Sequence, residues 1–257
     1  MAKQIVVITG SNIGLGYEAA KVLSQKSYHI VITSRTLSKS QEAVAELKKT
    51  ASVQAVFSAY ELDVASPASV SSFAEGLQKE FSHIDCLINN AGVALDRLVP
   101  QETTPAALAK RAEVYSQILN TNVVGPNILT TVLLPLLLKS PSPRLLFVSS
   151  GLGSLEWCAD PSSPFYQVPA AMYRSSKSAL NMQMLMWHKE LKDKNVAVYS
   201  ICPGFNATGL GGDAEAAAKQ GATSPDVGGQ VIADVAEGKR KGDEGRVVAG
   251  KGVVQPW

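Results

Sequence analysis

Short apolar runs rich in β-branched residues alternate along this chain with longer segments of helical period, and that alternation limits the fold more than any other feature. Residues 5–8, 30–32, part of 53–64, 86–88, 144–148, 197–201 and 246–249 read as strands. Between them, residues 17–25, 40–49, 68–81, about 105–138 with an interruption at Gly125-Pro126, 171–191 and 225–238 carry the helical repeat. Ser66-Pro67 reads as an N-cap with proline at the first helical position. Near-continuous apolar strands belong in a parallel sheet covered on both faces. Repeated βαβ units of this kind predict a doubly wound, Rossmann-type α/β fold with seven parallel strands. No linker or low-complexity stretch divides residues 1–257, so a single domain is expected.

Composition narrows the function. Apolar residues make up 46% of the chain and charged residues 18%, which is enough for a core and too little charge for disorder. The net charge of +2 offers no basic excess to a nucleic-acid backbone. The one dense basic run, Lys239-Arg240-Lys241, is followed by Asp243 and Glu244 and reads as a solvated loop. Cys86, Cys158 and Cys202 have no CxxC spacing, and His29, His83 and His188 lie far apart; neither a disulfide framework nor a metal site is expected. The cysteine usage fits a reducing compartment, and a cytoplasmic location is expected. The most lipid-like stretch, residues 132–138, contains Pro135 and is far shorter than the roughly 20 apolar residues a span needs. No signal-peptide pattern precedes the first strand, so a soluble protein without a membrane partner is expected.

The first strand runs into Thr9-Gly10-Ser11-Asn12-Ile13-Gly14-Leu15-Gly16 and then a helix. Glycines there permit a tight turn and let phosphate oxygens approach backbone N–H groups at a helix start. The spacing is GxxxGxG, not GxGxxG. The second strand discriminates between cofactors. A site for NAD places an acid about 20 residues beyond the glycines to accept from the ribose 2′-hydroxyl. No Asp or Glu occurs between Glu18 and Glu42, and the strand ends Thr33-Ser34-Arg35-Thr36. A guanidinium flanked by hydroxyls suits a 2′-phosphate, so NADP(H) is expected, with Ser34, Arg35 and Thr36 as its contacts.

Tyr173-Arg174-Ser175-Ser176-Lys177 sets Tyr173 and Lys177 four residues apart, on one helix face. A phenol that normally titrates near ~10 is a poor proton shuttle at neutral pH, and a nearby ammonium favours its ionised form.

With these motifs in place, the whole chain resembles the short-chain dehydrogenase/reductase family in its single-domain form. Thr9-Gly10-xxx-Gly14-x-Gly16 is similar to the family's cofactor loop, with Asn12 and Ile13 inside it. Asp63-Val64 resembles the adenine-side acid and its neighbour. Asn89-Asn90-Ala91-Gly92 resembles the motif closing the fourth strand beside the cofactor. Asn122, Ser150, Tyr173 and Lys177 match the catalytic set, and Pro203-Gly204 with Thr208 the nicotinamide-side loop.

The resemblance implies an NADP(H)-dependent oxidoreductase that interconverts a ketone or aldehyde with an alcohol. Tyr173 would be general acid/base and Ser150 would hydrogen-bond the reacting oxygen. Lys177 would hold the ribose and depress the tyrosine pKa, and Asn122 would keep a relay water. Two alternatives stay open: a non-redox cyclase or epimerase on the same fold, and a nucleotide-binding regulatory protein without turnover.

Two departures from the family pattern matter. Twenty-two residues separate Ser150 from Tyr173, more than the family usually has. Because this excursion is tethered at two catalytic residues, Trp157, Phe165 and Tyr166 are expected on the substrate wall, with Phe205 from the nicotinamide-side loop. The region 209–221 is rich in Gly and Ala and short for a lid, which suggests an open pocket. Met182, Met184, Met186 and Trp187 read as core or subunit-contact residues, and a homodimer or homotetramer is expected.

Overall fold

The structure, a computed structural model, describes residues 3–257. Its strands are β1 (Gln4–Ile8), β2 (Tyr28–Ser34), β3 (Val56–Glu61), β4 (Cys86–Asn89), β5 (Arg144–Val148), β6 (Ala197–Cys202), β7 (Val247–Ala249) and β8 (Val254–Gln255). They form one sheet in the order β3-β2-β1-β4-β5-β6-β7-β8. All neighbours are parallel except β7 and β8. The expected seven strands are therefore eight. β8 is two residues long and follows a 3-10 turn in which Lys251 takes φ 57°, so no apolar run announces it.

The helices are α1 (Gly14–Leu23), α2 (Leu37–Lys48), α3 (Pro67–Glu80), α4 (Pro105–Leu119), α5 (Gly125–Leu137), α6 (Leu155–Ala159), α7 (Ala171–Leu191), α8 (Ala214–Lys219) and α9 (Pro225–Ala236). Side chains alternate across each strand and so feed two cores. Val7, Val31, Leu87, Leu145 and Phe147 pack on one face with residues of α3, α5 and α7. Val6, Ile8, Ile30, Ile32, Ile88 and Leu146 pack on the other with α1, α2 and α9. Each fully buried side chain of this size stabilises by about 1.5–3 kcal/mol, which is why the central strands tolerate almost no polar residues.

Gly125-Pro126 does not break the fourth helical region. A π-turn, Asn120–Val124, joins α4 to α5, and the Gly125 N–H donates to Asn120 O five residues back. Gly125 is needed there because a Cβ would lie 2.6 Å from Val64 O. The basic run at 239–241 is also more than a solvated loop: Arg240 donates to Ala249 O (2.6 Å) and Val253 O (3.0 Å), stitching the turn between β7 and β8.

Candidate active site

The sheet order places β1 beside β4, and the connections leave these two strands in opposite directions. Such a switch point opens a crevice at the carboxyl ends of the strands. Thr9, at the end of β1, ties its rim together. Its Oγ1 accepts from Asn90 N and Ala91 N, each at 2.9 Å. Asn90 Nδ2 returns bonds to Thr9 O (2.8 Å) and Gly10 O (3.1 Å). Gly10 and Gly14 both have φ +61°, the left-handed region that favours glycine. A Cβ on Gly16 would meet Asn90 Nδ2 at 2.5 Å. Thr9 and Asn90 thus shape the glycine loop, and neither was singled out for this role by spacing alone.

This loop fits a phosphate-bearing cofactor. Ile13 precedes α1 and offers no side-chain cap, so N–H groups of the first turn stay open to an anion. Asn12 is half-buried, and Ile13 is 70% exposed over the turn. Across the crevice, the Thr208 methyl lies 3.9 Å from where a Gly14 Cβ would stand. Asn206 orders the Pro203-Gly204 turn by donating to Pro203 O (3.0 Å) and Gly204 O (2.9 Å), while Gly204 sits at φ +87°. Phe205 is 55% exposed beside it. Asp63 accepts from Ala65 N at 3.0 Å, Val64 is buried, and Ala91 lies 3.2 Å from the Gly10 Cβ position. Asn89 is buried, with Nδ2 donating to Thr130 Oγ1.

At the end of β2 the structure rearranges the expected contacts. The Ser34 hydroxyl turns inward, donating to Thr36 O (2.7 Å) and sharing a bond with Ser40 Oγ (2.9 Å). Arg35 and Thr36 are exposed, and Arg35 has no ion-pair or hydrogen-bond partner among the described residues. An acid does stand nearby. Glu61 of β3 pairs in register with Ser34, and its Oε2 accepts from Leu37 N at 3.3 Å. Sequence spacing could not reveal it, because strand pairing supplies the proximity.

The proton-transfer candidates converge on α7. Tyr173 and Lys177 are buried, and the Lys177 Nζ lies 5.6 Å from the Tyr173 ring centroid. Burial is the largest influence on the phenol and raises its pKa well above the ordinary value; the Cys202 thiol and Asp96 act in the same sense, and the Ser150 hydroxyl opposes them. Lys177, expected to depress the phenol, is not among the groups that shift it. Lys177 itself is pulled down to about 8 by burial, and its Nζ donates to Val148 O at 2.8 Å.

The π-turn presents Asn122, fully buried, to the same cluster. Its side chain brackets Val93, accepting from Val93 N and donating to Val93 O, both at 2.8 Å, and also donates to Ser176 Oγ. Gly92 keeps this corner open: a Cβ there would stand 3.3 Å from Asn122 Oδ1 and 3.5 Å from Lys177 Nζ.

The excursion between Ser150 and Tyr173 is folded back rather than extended. Trp157 on α6 stacks on Phe165 (4.9 Å, 21°), and a Cβ on Gly151 would meet the Trp157 ring at 2.8 Å. Trp157 therefore packs against Gly151, the residue after Ser150, whereas Tyr166 is 42% exposed and makes no such stack. Buried Arg174 ties the excursion to α7 through Phe165 O (2.7 Å) and Val168 O (3.1 Å). Farther along α7, Met184 and Trp187 are buried, whereas Met182 (60%) and Met186 (56%) are exposed on the opposite face.

Among the described residues, no group of His, Cys, Asp or Glu is placed to hold a metal ion, and no helix is long and apolar enough to cross a membrane.

The chain has relatives among known proteins. Residues 4–219 match the family model for short chain dehydrogenase. A short-chain dehydrogenase/reductase of a Phoma species, eupG, is 38% identical, the match covering 99% of this chain and 98% of that protein. Salutaridine reductase of Papaver somniferum is 35% identical over 62% of this chain and 58% of its own length. An NADPH-bound carbonyl reductase from chicken fatty liver shares the fold, with a TM-score of 0.79 and 24% identity over the whole of both chains. A family model spanning most of the chain and a relative matched over nearly its whole length show the family: the chain belongs to the short-chain dehydrogenase/reductase family of oxidoreductases.

Proposed function

We propose that this chain is an NADP(H)-dependent carbonyl reductase or alcohol dehydrogenase, with Tyr173 as general acid/base. The observation that carries the reading is buried Tyr173 set against the Ser150 hydroxyl, with Lys177 one turn further along α7. Hydride transfer is the chemistry a nicotinamide cofactor would supply when held between the Gly10–Gly16 loop and the Pro203–Thr208 loop. Tyr173 gives its proton to the carbonyl oxygen as negative charge develops there, or takes one in the reverse direction. Ser150 donates to the same oxygen. Asn122, fixed by its bonds to Val93 and Ser176, holds the relay water that resupplies the proton. Lys177 binds the ribose.

Exposed Arg35 at the end of β2 supports NADP(H), and the Trp157–Phe165 stack against Gly151 supports an apolar substrate wall. A relative named as a reductase supports carbonyl chemistry. The test is NADPH oxidation with a panel of ketones and aldehydes. Carbonyl-dependent, stoichiometric oxidation is expected; cofactor binding without it would favour a non-redox or regulatory role.

Lys177 yields a pH prediction. Its ammonium loses its proton as pH rises through about 8. A charged donor makes a hydrogen bond about 1 kcal/mol stronger than a neutral one. The Kd for NADPH should therefore rise about fivefold between pH 7 and 9.5, read by fluorescence titration, and the dependence should vanish in Lys177→Met. A Kd that stays flat in the parent would remove Lys177 from the ribose.

The exposed Met182 and Met186 face, with Asn127 and Thr131 of α5 beside it, supports a homo-oligomer built on α5 and α7. Light scattering should give a dimer or tetramer for the parent and a smaller species for Met186→Glu. A monomeric parent would overturn this assembly.

A further inference from the structure

Helix α7 carries both Tyr173 and Lys177, yet its own N-cap residue, Ala170, has no side-chain oxygen to satisfy the first-turn N–H groups. The acceptor comes from 76 residues away. Asp96 lies in the 3-10 turn Asp96–Leu98, which follows the Asn89–Gly92 loop. Its Oδ1 accepts from Met172 N at 2.9 Å and its Oδ2 from Tyr173 N at 3.2 Å. Just before this turn, the Val93 backbone grips the Asn122 side chain at 2.8 Å on both sides. One short segment therefore touches the glycine loop through Asn90 and Ala91, Asn122 through Val93, and the backbone of Tyr173 through Asp96.

We propose that Asp96 is a positioning residue for Tyr173: its carboxylate caps the helix that presents the phenol and keeps a negative charge at that residue's backbone. The inference rests on the role given to Tyr173 above. Two physical effects follow. A carboxylate on first-turn N–H groups fixes the start of the helix and complements its dipole. The same charge disfavours phenolate formation, which keeps the proton on Tyr173 until the carbonyl oxygen takes it. The other groups acting on the phenol are the Cys202 thiol at the end of β6 and the Ser150 hydroxyl, while the Lys177 ammonium on the same helix stands 5.6 Å from the ring centroid. Asp96 is the one carboxylate in this set.

Two substitutions separate cap from charge. Asp96→Asn keeps an acceptor oxygen and loses the charge; Asp96→Ala loses both. Each is compared with the parent by NADPH oxidation on one carbonyl substrate at neutral pH, by NADPH affinity, by Tm, and by the alkaline ultraviolet titration profile of the Tyr173 phenolate, taken as the difference from the same chain carrying Tyr173→Phe. In Asp96→Asn the phenolate profile should move to lower pH than the parent's, with kcat at neutral pH and Tm close to the parent's. Asp96→Ala should show the same displacement, a kcat about tenfold lower and a reduced Tm, with NADPH affinity unchanged in both. An Asp96→Asn profile superimposed on the parent's would overturn the charge role, and equal Tm values for Asp96→Ala and parent would overturn the cap. A parent without carbonyl-dependent NADPH oxidation would overturn the role assigned to Tyr173 and any effect of Asp96 upon it, while Tm would still report the cap.

Discussion

Tyr173→Phe is expected to lose about a thousandfold in kcat while binding NADPH as the parent does. Positioned acid–base groups contribute about 10²- to 10⁴-fold to proton-transfer steps, and this substitution removes the oxygen that carries the proton and little else. Tyr173 is buried, so its ring is part of the local packing, and phenylalanine preserves that packing. Stability should accordingly change little. The check is single-substrate kinetics beside a cofactor titration. Retention of more than a tenth of parental kcat would displace Tyr173 from the proton-transfer step.

Cofactor choice should show the second large effect. Arg35→Ala is expected to lower kcat/KM with NADPH by about ten- to a hundredfold and leave NADH nearly unchanged. A charge-assisted bond to the 2′-phosphate is worth about 1.5–3 kcal/mol. Ser34 is a poor site for an introduced acid, because it is buried and bonded to Ser40 and Thr36. Glu61 is the better counter-test. Its carboxylate sits on Leu37 N, beside the turn that carries Arg35, and would repel a phosphate there. Glu61→Gln should raise the NADPH:NADH ratio while Arg35→Ala lowers it, both measured at fixed ionic strength because salt screens exposed charges. A parent that favours NADH would place Arg35 outside the cofactor site.

What the sequence made legible follows from how local each signal is. Helix α7 begins and ends where its periodicity predicts, and Ser66 caps α3 through Ser69 N as the Ser-Pro pair implies. The glycine loop at the end of β1 and the Tyr173–Lys177 pair on one face of α7 carry local patterns, whereas Asn89–Gly92, Ser150 and Asn122, the last inside the π-turn, are marked by the family resemblance alone. The parts that escaped are made by distant pairings. Glu61 reaches the end of β2 through strand register, and Asp96 reaches α7 across 76 residues. β8 is too short to carry a pattern, and Arg240 is held by backbone carbonyls that no sequence motif marks. The inward turn of Ser34 depends on Ser40, one helical turn into α2, which a strand-end reading cannot weigh.

The π-turn at Asn120–Val124 has a consequence for evolution and engineering. It accommodates one residue more than an α-helical path between α4 and α5 would hold. Deleting a single residue there would let the two helices fuse into one uninterrupted rod with regular bonding. The same deletion would remove the wide turn that presents Asn122 and take its side chain out of its bonds to Val93 and Ser176. Selection for thermal robustness alone would favour the fused rod, whereas selection for turnover would retain the irregular one. This stretch is therefore one place where the two pressures oppose each other.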